Sequence, residues 1–186
     1  MAHGTPIRDR LQNAIRPSRS DSTPVLWARS LLNAVLFFGV FMLALPALAH
    51  WVLPVSLPVS SGRTWVALPA VAVAAAAIVV WIVCLDAFVR RGRGTPLPAD
   101  APRHLVTTGP FAVVRNPIMA AELSFIWAEA LYTTSLGIVL YALILSATAQ
   151  LSLLYIEEPE LRARFGAKFD AYCERVPRWL PRFGRL

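Results

Sequence analysis

Charged residues are scarce in this chain of 186 residues, since only 16% are Asp, Glu, Lys or Arg, against roughly one quarter in an ordinary soluble domain. Hydrophobic residues make up 56% of the chain and the mean hydropathy is +0.55. This balance excludes a soluble globular domain and predicts a protein that lies within a lipid bilayer.

Cysteine is also scarce. The two cysteines, Cys84 and Cys173, are too few and too far apart for a disulfide framework or a zinc site, so we expect packed apolar side chains and no metal. The net charge of +7 comes from basic residues between apolar runs. Because no aromatic-flanked basic patch is present, nucleic acid is not an expected partner.

Four segments are apolar enough to cross a bilayer, which takes about 20 helical residues. They predict spans at about 27–50, 65–88, 118–133 and 136–156. The apolar stretch 118–156 is too long for one crossing and is interrupted between Tyr132 and Gly137, which predicts a tight helical hairpin. The predicted fold is therefore an all-α polytopic membrane protein with four transmembrane helices, and 24–186 form its single domain.

All of the 18 Lys and Arg residues except Arg63 lie in the N-terminal segment, the 89–117 loop or the C-terminal tail. The positive-inside rule therefore predicts cytosolic termini in an integral membrane protein, which we expect in a bacterial inner membrane. Ala47-Leu48-Ala49 resembles a signal-peptidase site, but the leader of about 30 residues and the long apolar run favour an uncleaved helix. Residues 1–23 are polar without apolar periodicity and predict a mobile cytosolic arm.

The C-terminal tail carries a second pattern. Pro159 among three glutamates indicates a helix break and restart. Apolar residues then recur at spacings of four, four, three and four, namely Leu161, Phe165, Phe169, Tyr172 and Val176. The spacing predicts a C-terminal amphipathic cytosolic helix over about 159–176 that lies along the membrane surface.

Polar residues at the ends of the last two spans are expected to meet. Arg115 and Asn116 precede the third span, and Glu157 and Glu158 follow the fourth. Each has an ordinary explanation as a snorkelling arginine, a helix-start signal or a partner of the helix dipole. Carboxylates at a membrane boundary nevertheless require a cationic or hydrated partner. A ligand with an amine and a carboxylate would satisfy all four residues.

Several motifs occur in a recognisable order: GRGTP (92–96), LVTTGPFAVVRNP (105–117), EEPEL (157–161), FG (165–166) and VPRWLP (176–181). Their order resembles the isoprenylcysteine carboxyl methyltransferase and phospholipid methyltransferase superfamily, over roughly the C-terminal half. The resemblance implies an integral-membrane, S-adenosylmethionine-dependent methyltransferase. It also implies a cofactor pocket lined by an Arg-(His/Asn)-Pro triplet and a Glu-Glu pair, beneath the C-terminal helix.

By this resemblance, the cofactor-binding residues are the triplet, the acidic pair, two aromatic residues and a Gly-x-Gly, namely Arg115, Asn116, Pro117, Glu157, Glu158, Tyr172, Trp179, Gly92 and Gly94. The chain departs from the family pattern in two places. Ile118-Met119 stands where Met-Tyr is frequent, and Phe111 stands where Tyr is frequent.

The expected chemistry follows from the charges of S-adenosylmethionine. The glutamate pair would bind its ammonium, Arg115 or Arg175 its carboxylate, and aromatic faces its sulfonium. Besides Arg175, Glu122 is the candidate catalytic residue, since an amine or hydroxyl nucleophile benefits from a base. Glu129, seven residues later on the same helical face, is the second candidate base. A polar contact with Asn33, Gln150 or water is the alternative explanation for both glutamates.

The expected acceptor is lipid-like or small and hydrophobic, such as an isoprenylcysteine-type carboxylate or an amine-headed phospholipid, because it would reach the site by sliding between spans. Two other functions stay open: an NADPH-dependent membrane reductase of the same fold, and a non-catalytic protein that binds lipid through its basic face. The sequence does not indicate the oligomeric state.

Overall fold

The fold is that of a computed structural model, which describes residues 16–20, 22–58 and 63–181. Within these ranges the protein is helical and has no β-strand. The all-α prediction is therefore confirmed.

The first helix, α1, runs from Thr23 to Val52, with a π-helical segment at Phe38–Ala44. Pro46 lies within α1, where it has no N–H to donate and its ring would collide with the carbonyl four residues earlier. The wider π turn just before Pro46 accommodates this ring without ending the helix.

The second helix, α2, spans Arg63–Ala87 and continues through a π turn at Phe88–Gly92. It ends at Arg93, whose left-handed φ of 54° reverses the chain. A long connection, residues 94–116 and here called the central connection, contains two 3-10 turns, Pro98–Asp100 and Gly109–Ala112, and leads to the third helix.

The third and fourth helices form the predicted hairpin. The third, α3, spans Pro117–Thr133, and the fourth, α4, spans Leu136–Ser152. Thr134 turns the chain with a φ of 55°, and the side chain of Ser135 caps α4 by accepting a hydrogen bond from the Ile138 amide. Proline fits at the first position of α3 because the first helical N–H groups have no partner within the helix.

The predicted break at Pro159 is wrong. The fourth helix passes through a π turn at Leu153–Glu157 into α5, Glu158–Phe165, without leaving helical geometry. As in α1, the π turn precedes a proline and accommodates it. The chain turns instead at Gly166, with a φ of 51°, and the last helix, α6, spans Ala167–Arg175.

The predicted 159–176 helix is thus two short helices. Three of its apolar residues, Phe169, Tyr172 and Val176, are buried and pack with Leu105, so this face covers other parts of the protein. Its placement along a membrane surface stays a prediction.

Three helices of the described chain are long and apolar enough to cross a membrane: Thr23–Val52, Trp65–Gly92 and Leu136–Phe165. The third helix has 17 residues, and at about 1.5 Å per residue it covers less than the roughly 30 Å of a bilayer core. Its crossing, and hence the fourth span, stays a prediction. Large apolar side chains of α1 and α2 are exposed, Trp65 by 84% and Val35 by 70%, as a lipid environment permits.

The predicted mobile arm lies partly outside the described residues, which begin at residue 16. Residues 16–20 are tied to the central connection by backbone hydrogen bonds, from Ser18 N to Ala101 O at 2.9 Å and from Ala101 N to Arg16 O at 2.8 Å. The mobility of the arm stays a prediction.

Candidate functional site

Two adjoining cavities lie where the central connection, the spans and the C-terminal helices meet. One, here called the tail cavity, has about 220 Å³ and lies beneath α5 and α6, against Leu161, Phe165, Phe169 and Tyr172. The other, here called the span cavity, has about 300 Å³ and lies between α1, α2 and α3, against Ser30, Asn33, Trp81 and Glu122. Both are lined by Phe88, Phe111, Arg115, Asn116 and Glu157.

Arg115 and Asn116 are held by the segment that follows α6. The Arg115 amide donates to the Pro177 carbonyl at 2.8 Å, and Asn116 Nδ2 donates to the Arg178 carbonyl at 3.3 Å. Pro117 is buried at the start of α3 and lines neither cavity. Its role is to start the helix whose first residues form the cavity wall.

The two adjacent glutamates occupy different environments. Glu158 is 7% exposed, and its carboxylate receives two hydrogen bonds from Arg178, at 2.7 and 2.8 Å. Arg115 Nη1 lies 3.2 Å from the same carboxylate. Two arginines therefore neutralise Glu158, which leaves it poorly placed to take up a further cation.

Glu157 lines both cavities and, among the described residues, makes no side-chain hydrogen bond or ion pair. Glu157 is half-buried, and a partly desolvated carboxylate without a partner favours a cationic ligand. Of the acidic pair, Glu157 is thus the member available to a ligand.

Only some of the nitrogens of the Arg115 guanidinium have partners. Its Nη1 lies 2.8 Å from Cys173 Sγ and also faces Glu158. Its Nε is buried without a hydrogen-bond partner in the described chain. Because Arg115 lines both cavities, an acceptor atom of a ligand there would satisfy this nitrogen.

Tyr172 contributes its ring to the tail cavity, while its hydroxyl is already engaged. The hydroxyl donates to the Phe111 carbonyl at 2.6 Å. Burial raises the pKa of Tyr172 above its usual range, which keeps the phenol protonated as a donor. Tyr172 therefore ties α6 to the central connection and offers a ligand an aromatic surface.

Glu122 lies in the span cavity. Its Oε1 accepts a hydrogen bond from Trp81 Nε1 at 3.1 Å. Asn33, which the sequence suggested as a partner, lines the same cavity without bonding to Glu122. Glu129 lines neither cavity, and its Oε2 is buried without a partner in the part of the chain that the structure describes.

A family model described as phospholipid methyltransferase matches residues 69–168, more than half of the chain. The chain belongs to the phospholipid methyltransferase family. Membership in this family, with three helices able to span a membrane, indicates a membrane methyltransferase. No curated protein matches the chain.

The family match extends from α2 into α6 and contains Arg115, Asn116, Glu157 and Glu158. It begins after α1, so it leaves out the wall of the span cavity that Ser30 and Asn33 provide.

Two of the residues that the superfamily resemblance implied, Gly92 and Gly94, line neither cavity. A Cβ on Gly94 would lie 2.5 Å from the backbone of Pro102, and a Cβ on Gly92 would lie 2.8 Å from the Pro102 side chain. These glycines allow the end of α2 and the residue after its cap to approach Pro102 closely. The structure assigns them packing and gives no support to cofactor contact.

Trp179 and Arg175 are also outside both cavities. Trp179 Nε1 donates to Gln150 Oε1 at 2.7 Å, which joins the tail to α4. Arg175 is exposed, and its Nε donates to the Ala171 carbonyl one turn earlier on α6. A catalytic or carboxylate-binding role for Arg175 therefore finds no support in its position.

Sequence reasoning missed Arg178, Ser30 and the cavity-lining role of Asn33. A single amide in an apolar span was a usable signal for Asn33, because intramembrane polar residues face protein or a cavity. Ser30 gave no comparable signal. Arg178 was indistinguishable from the other tail arginines, since its pairing with Glu158 depends on how the chain folds back.

The charges and aromatic rings that line the tail cavity complement the groups of S-adenosylmethionine. Glu157 complements an ammonium, the unpartnered Nε of Arg115 complements a carboxylate, and aromatic rings complement a sulfonium. Phe88 and Phe111, which line both cavities, are stacked with ring centroids 5.2 Å apart.

Proposed function

We propose that this member of the phospholipid methyltransferase family moves a methyl group from S-adenosylmethionine to a lipid-like or small hydrophobic acceptor. The observation that carries the proposal is the pair of cavities that meet at Arg115, Asn116 and Glu157. One lies beneath the polar tail helices and the other between apolar helices, so a water-soluble donor and a membrane-borne acceptor meet at one point.

Glu157 and Arg115 are the residues that would hold the donor. Glu157 binds the ammonium because it is an unpaired carboxylate at the junction of the cavities. Arg115 binds the carboxylate through Nε, while Glu158 and Cys173 keep Nη1 in place. When bound, S-adenosylmethionine supplies a methyl group activated by its sulfonium.

The protein's contribution to the reaction is alignment and exclusion of water. Phe88 and Phe111 place aromatic surfaces at the junction, where a sulfonium is favoured over a neutral sulfur. Phe165, Phe169 and Tyr172 cover the tail cavity and limit access of water. Holding donor and acceptor in line makes their reaction effectively unimolecular, which lowers the activation free energy by several kcal/mol.

We further propose that the chain crosses a bacterial inner membrane four times with cytosolic termini. The described basic residues other than Arg63 lie toward the end of the bundle that holds the tail cavity, and the third helix ends in the hairpin at the opposite end. This orientation places the tail cavity in the cytosol, where S-adenosylmethionine is made.

Binding measurements test the proposal on the full chain in lipid nanodiscs. We expect saturable calorimetric binding of S-adenosylmethionine and of its demethylated product. Glu157→Gln removes the unpaired carboxylate and should weaken binding of the methyl donor by about tenfold or more. Glu174→Gln is the matched control, since Glu174 is an exposed glutamate of α6 outside both cavities.

The alternatives give different results in the same assay. Binding of NADPH in place of the methyl donor would identify a reductase, and binding of lipid alone would identify a non-catalytic protein. Either result overturns the proposal. Incubation with radiolabelled methyl donor and a lipid extract of the host then shows which acceptor gains the label.

A further inference from the structure

We infer that residues 16–20 form a strap that holds one wall of the tail cavity in place, and that the methyl donor enters and leaves when this strap releases. The wall is the part of the central connection at residues 95–101, here called the wall turn. The inference rests on the proposed function for the identity of the ligand, and it adds how access to the same cavity is controlled.

The wall turn lies between the cavities and the outside of the protein. Pro96 and Leu97 line both cavities, and Ala101 lines the tail cavity. Leu97 is also 40% exposed, so the wall turn is not covered by other elements there. Outward movement of the wall turn would therefore open the tail cavity.

The wall turn is bonded to itself. The Thr95 amide donates to the Asp100 carbonyl at 2.8 Å, and the Asp100 amide donates to the Leu97 carbonyl at 3.0 Å. Thr95 Oγ1 donates to the same Asp100 carbonyl at 3.3 Å. These bonds do not depend on other segments, so the wall turn keeps its shape when it moves.

The two ends of the wall turn meet on a fixed base at the end of α2. A Cβ on Gly94 would lie 2.5 Å from the Pro102 backbone, so the chain leaves and returns at one place. The Gly94 amide donates to the Phe88 carbonyl at 3.2 Å, and the Arg103 amide donates to the Gly92 carbonyl at 2.7 Å. A short loop with a closed, fixed base can swing as one unit about that base.

The strap attaches to the moving part of this loop. The Ser18 amide donates to the Ala101 carbonyl at 2.9 Å, and the Ala101 amide donates to the Arg16 carbonyl at 2.8 Å. Both backbone groups of Ala101 are therefore used by the strap. Arg103, at the base, donates through Nε to the Ser18 carbonyl and keeps the strap in register.

One further attachment reaches the wall turn from outside. Among the described residues it is the ion pair of Arg29 Nη1 with Asp100 Oδ1, at 3.4 Å. The Arg29 side chain is half exposed, and exposed pairs contribute little to stability. The strap is therefore the main hold on the wall turn.

The opposite side of the tail cavity is closed more firmly. Phe169 and Tyr172 of α6 are buried and pack in one apolar cluster, which would have to separate for that side to open. In the strap, by contrast, Arg16, Pro17 and Arg19 are exposed. Local opening takes place where few buried apolar contacts hold the chain. The strap side is therefore the route of entry and release.

Ser18→Pro tests the strap without any ligand. Proline has no amide N–H, so the change removes the bond to the Ala101 carbonyl, while an extended segment at an edge accommodates the ring. Hydrogen exchange of residues 95–102, measured by mass spectrometry on the full chain in nanodiscs, should become at least about threefold faster. Arg19→Ala is the control and should leave exchange unchanged, because Arg19 is an exposed strap residue without a side-chain hydrogen bond or ion pair among the described residues.

Binding kinetics separate control of entry from damage to the cavity. Surface plasmon resonance on the chain in nanodiscs gives the association and dissociation rate constants of S-adenosylmethionine. Ser18→Pro should raise both by at least about threefold and leave the dissociation constant within about twofold, because the strap acts on passage in both directions. Damage to the cavity would instead raise the dissociation rate constant alone.

A disulfide between positions 17 and 101 should have the opposite effect. Pro17 and Ala101 pair in a parallel bridge. Neighbouring strands lie about 4.7–4.9 Å apart, within the Cα separation of about 4.4–6.8 Å that a disulfide spans. The oxidised double variant Pro17→Cys with Ala101→Cys should bind and release the donor at least about tenfold more slowly than its reduced form. The reduced form controls for the substitutions, and oxidised wild type controls for Cys84 and Cys173.

Unchanged exchange of residues 95–102 in Ser18→Pro overturns the inference, as do equal rate constants for the oxidised and reduced double variant. Failure of the proposed function gives a different result, since the wild-type chain would then not bind S-adenosylmethionine at all. Failure of the inference alone leaves wild-type binding intact and its rate constants independent of the strap.

Discussion

Arg178 holds Glu158 in a two-pronged ion pair, with Nε 2.7 Å from Oε1 and Nη2 2.8 Å from Oε2. The hydrogen bond to Glu158 raises the pKa of Arg178 above its ordinary value. This pair joins the start of α5 to the segment after α6, and Arg115 Nη1 lies 3.2 Å from the same carboxylate. Glu158 therefore holds three parts of the chain around the tail cavity.

Glu158→Gln should lower the stability of the protein and have little effect on ligand binding. The change leaves two partly buried arginines without their anionic partner, a loss of about 1–3 kcal/mol. The midpoint of thermal unfolding in detergent, followed by tryptophan fluorescence, should fall clearly. Glu157→Gln should leave that midpoint unchanged or raised, because Glu157 has no partner to lose among the described residues. Equal unfolding midpoints for Glu158→Gln and Glu157→Gln would contradict a structural role for Glu158 and a ligand-binding role for Glu157.

Tyr172→Phe should destabilise the protein by about 1–3 kcal/mol, because it leaves the Phe111 carbonyl without its donor. The wild type should also lose stability at alkaline pH. Burial raises the pKa of the folded-state phenol above its usual range. Its contribution is therefore complete below the unfolded-state pKa of about 10 and decreases as pH rises above that value.

The pH dependence is measured as the difference in unfolding midpoint between wild type and Tyr172→Phe from pH 7 to pH 11. Taking the difference removes the titration of other groups. The difference should be constant to about pH 9 and then shrink. A difference that grows with pH would show that the phenol is not buried as a neutral donor.

Gly94→Ala tests whether the Gly-x-Gly is a packing feature or a cofactor motif. The new Cβ would lie 2.5 Å from the Pro102 backbone, which cannot move aside as a flexible side chain can. We expect a loss of stability of about 1–3 kcal/mol. The surviving folded fraction should bind S-adenosylmethionine with unchanged affinity, whereas Glu157→Gln should show the reverse pattern. Weaker binding of S-adenosylmethionine by Gly94→Ala with unchanged stability would instead support the Gly-x-Gly as a cofactor motif.

Most of the helices could be predicted from the sequence because the length of each apolar run specifies them. Long apolar runs predicted α1, α2 and α4, and the Thr-Thr-Ser interruption predicted the hairpin turn at Thr134 and Ser135. The missed continuation through Pro159 has a local cause. A proline normally ends a helix, and a π turn that accommodates it has no distinctive sequence signal.

The candidate site was predictable in outline, while the division of labour within it was not. Glu157 and Glu158 are chemically identical neighbours, and a helix turns by about 100° between them. That rotation points one carboxylate at Arg178 and the other into the junction of the cavities. Which glutamate faces which way depends on a contact 20 residues along the chain. Such a contact is set by tertiary packing, and spacing in the sequence does not reveal it.

Close packing of α1 against α4 makes Gly137 a site where one methyl group should disrupt the bundle. A Cβ there would lie 2.2 Å from the Ala49 carbonyl oxygen. The neighbouring contact, His50 Nδ1 to Ser135 Oγ at 2.9 Å, would be pulled apart as well. Gly137→Ala should therefore lower the free energy of unfolding by at least about 1–3 kcal/mol.

Gly39→Ala is the matched control, because a Cβ on Gly39 meets nothing within 4 Å. The loss is measured as a fall in the midpoint of thermal unfolding in detergent. An unchanged unfolding midpoint in Gly137→Ala would mean that α1 does not pack against α4 in the membrane.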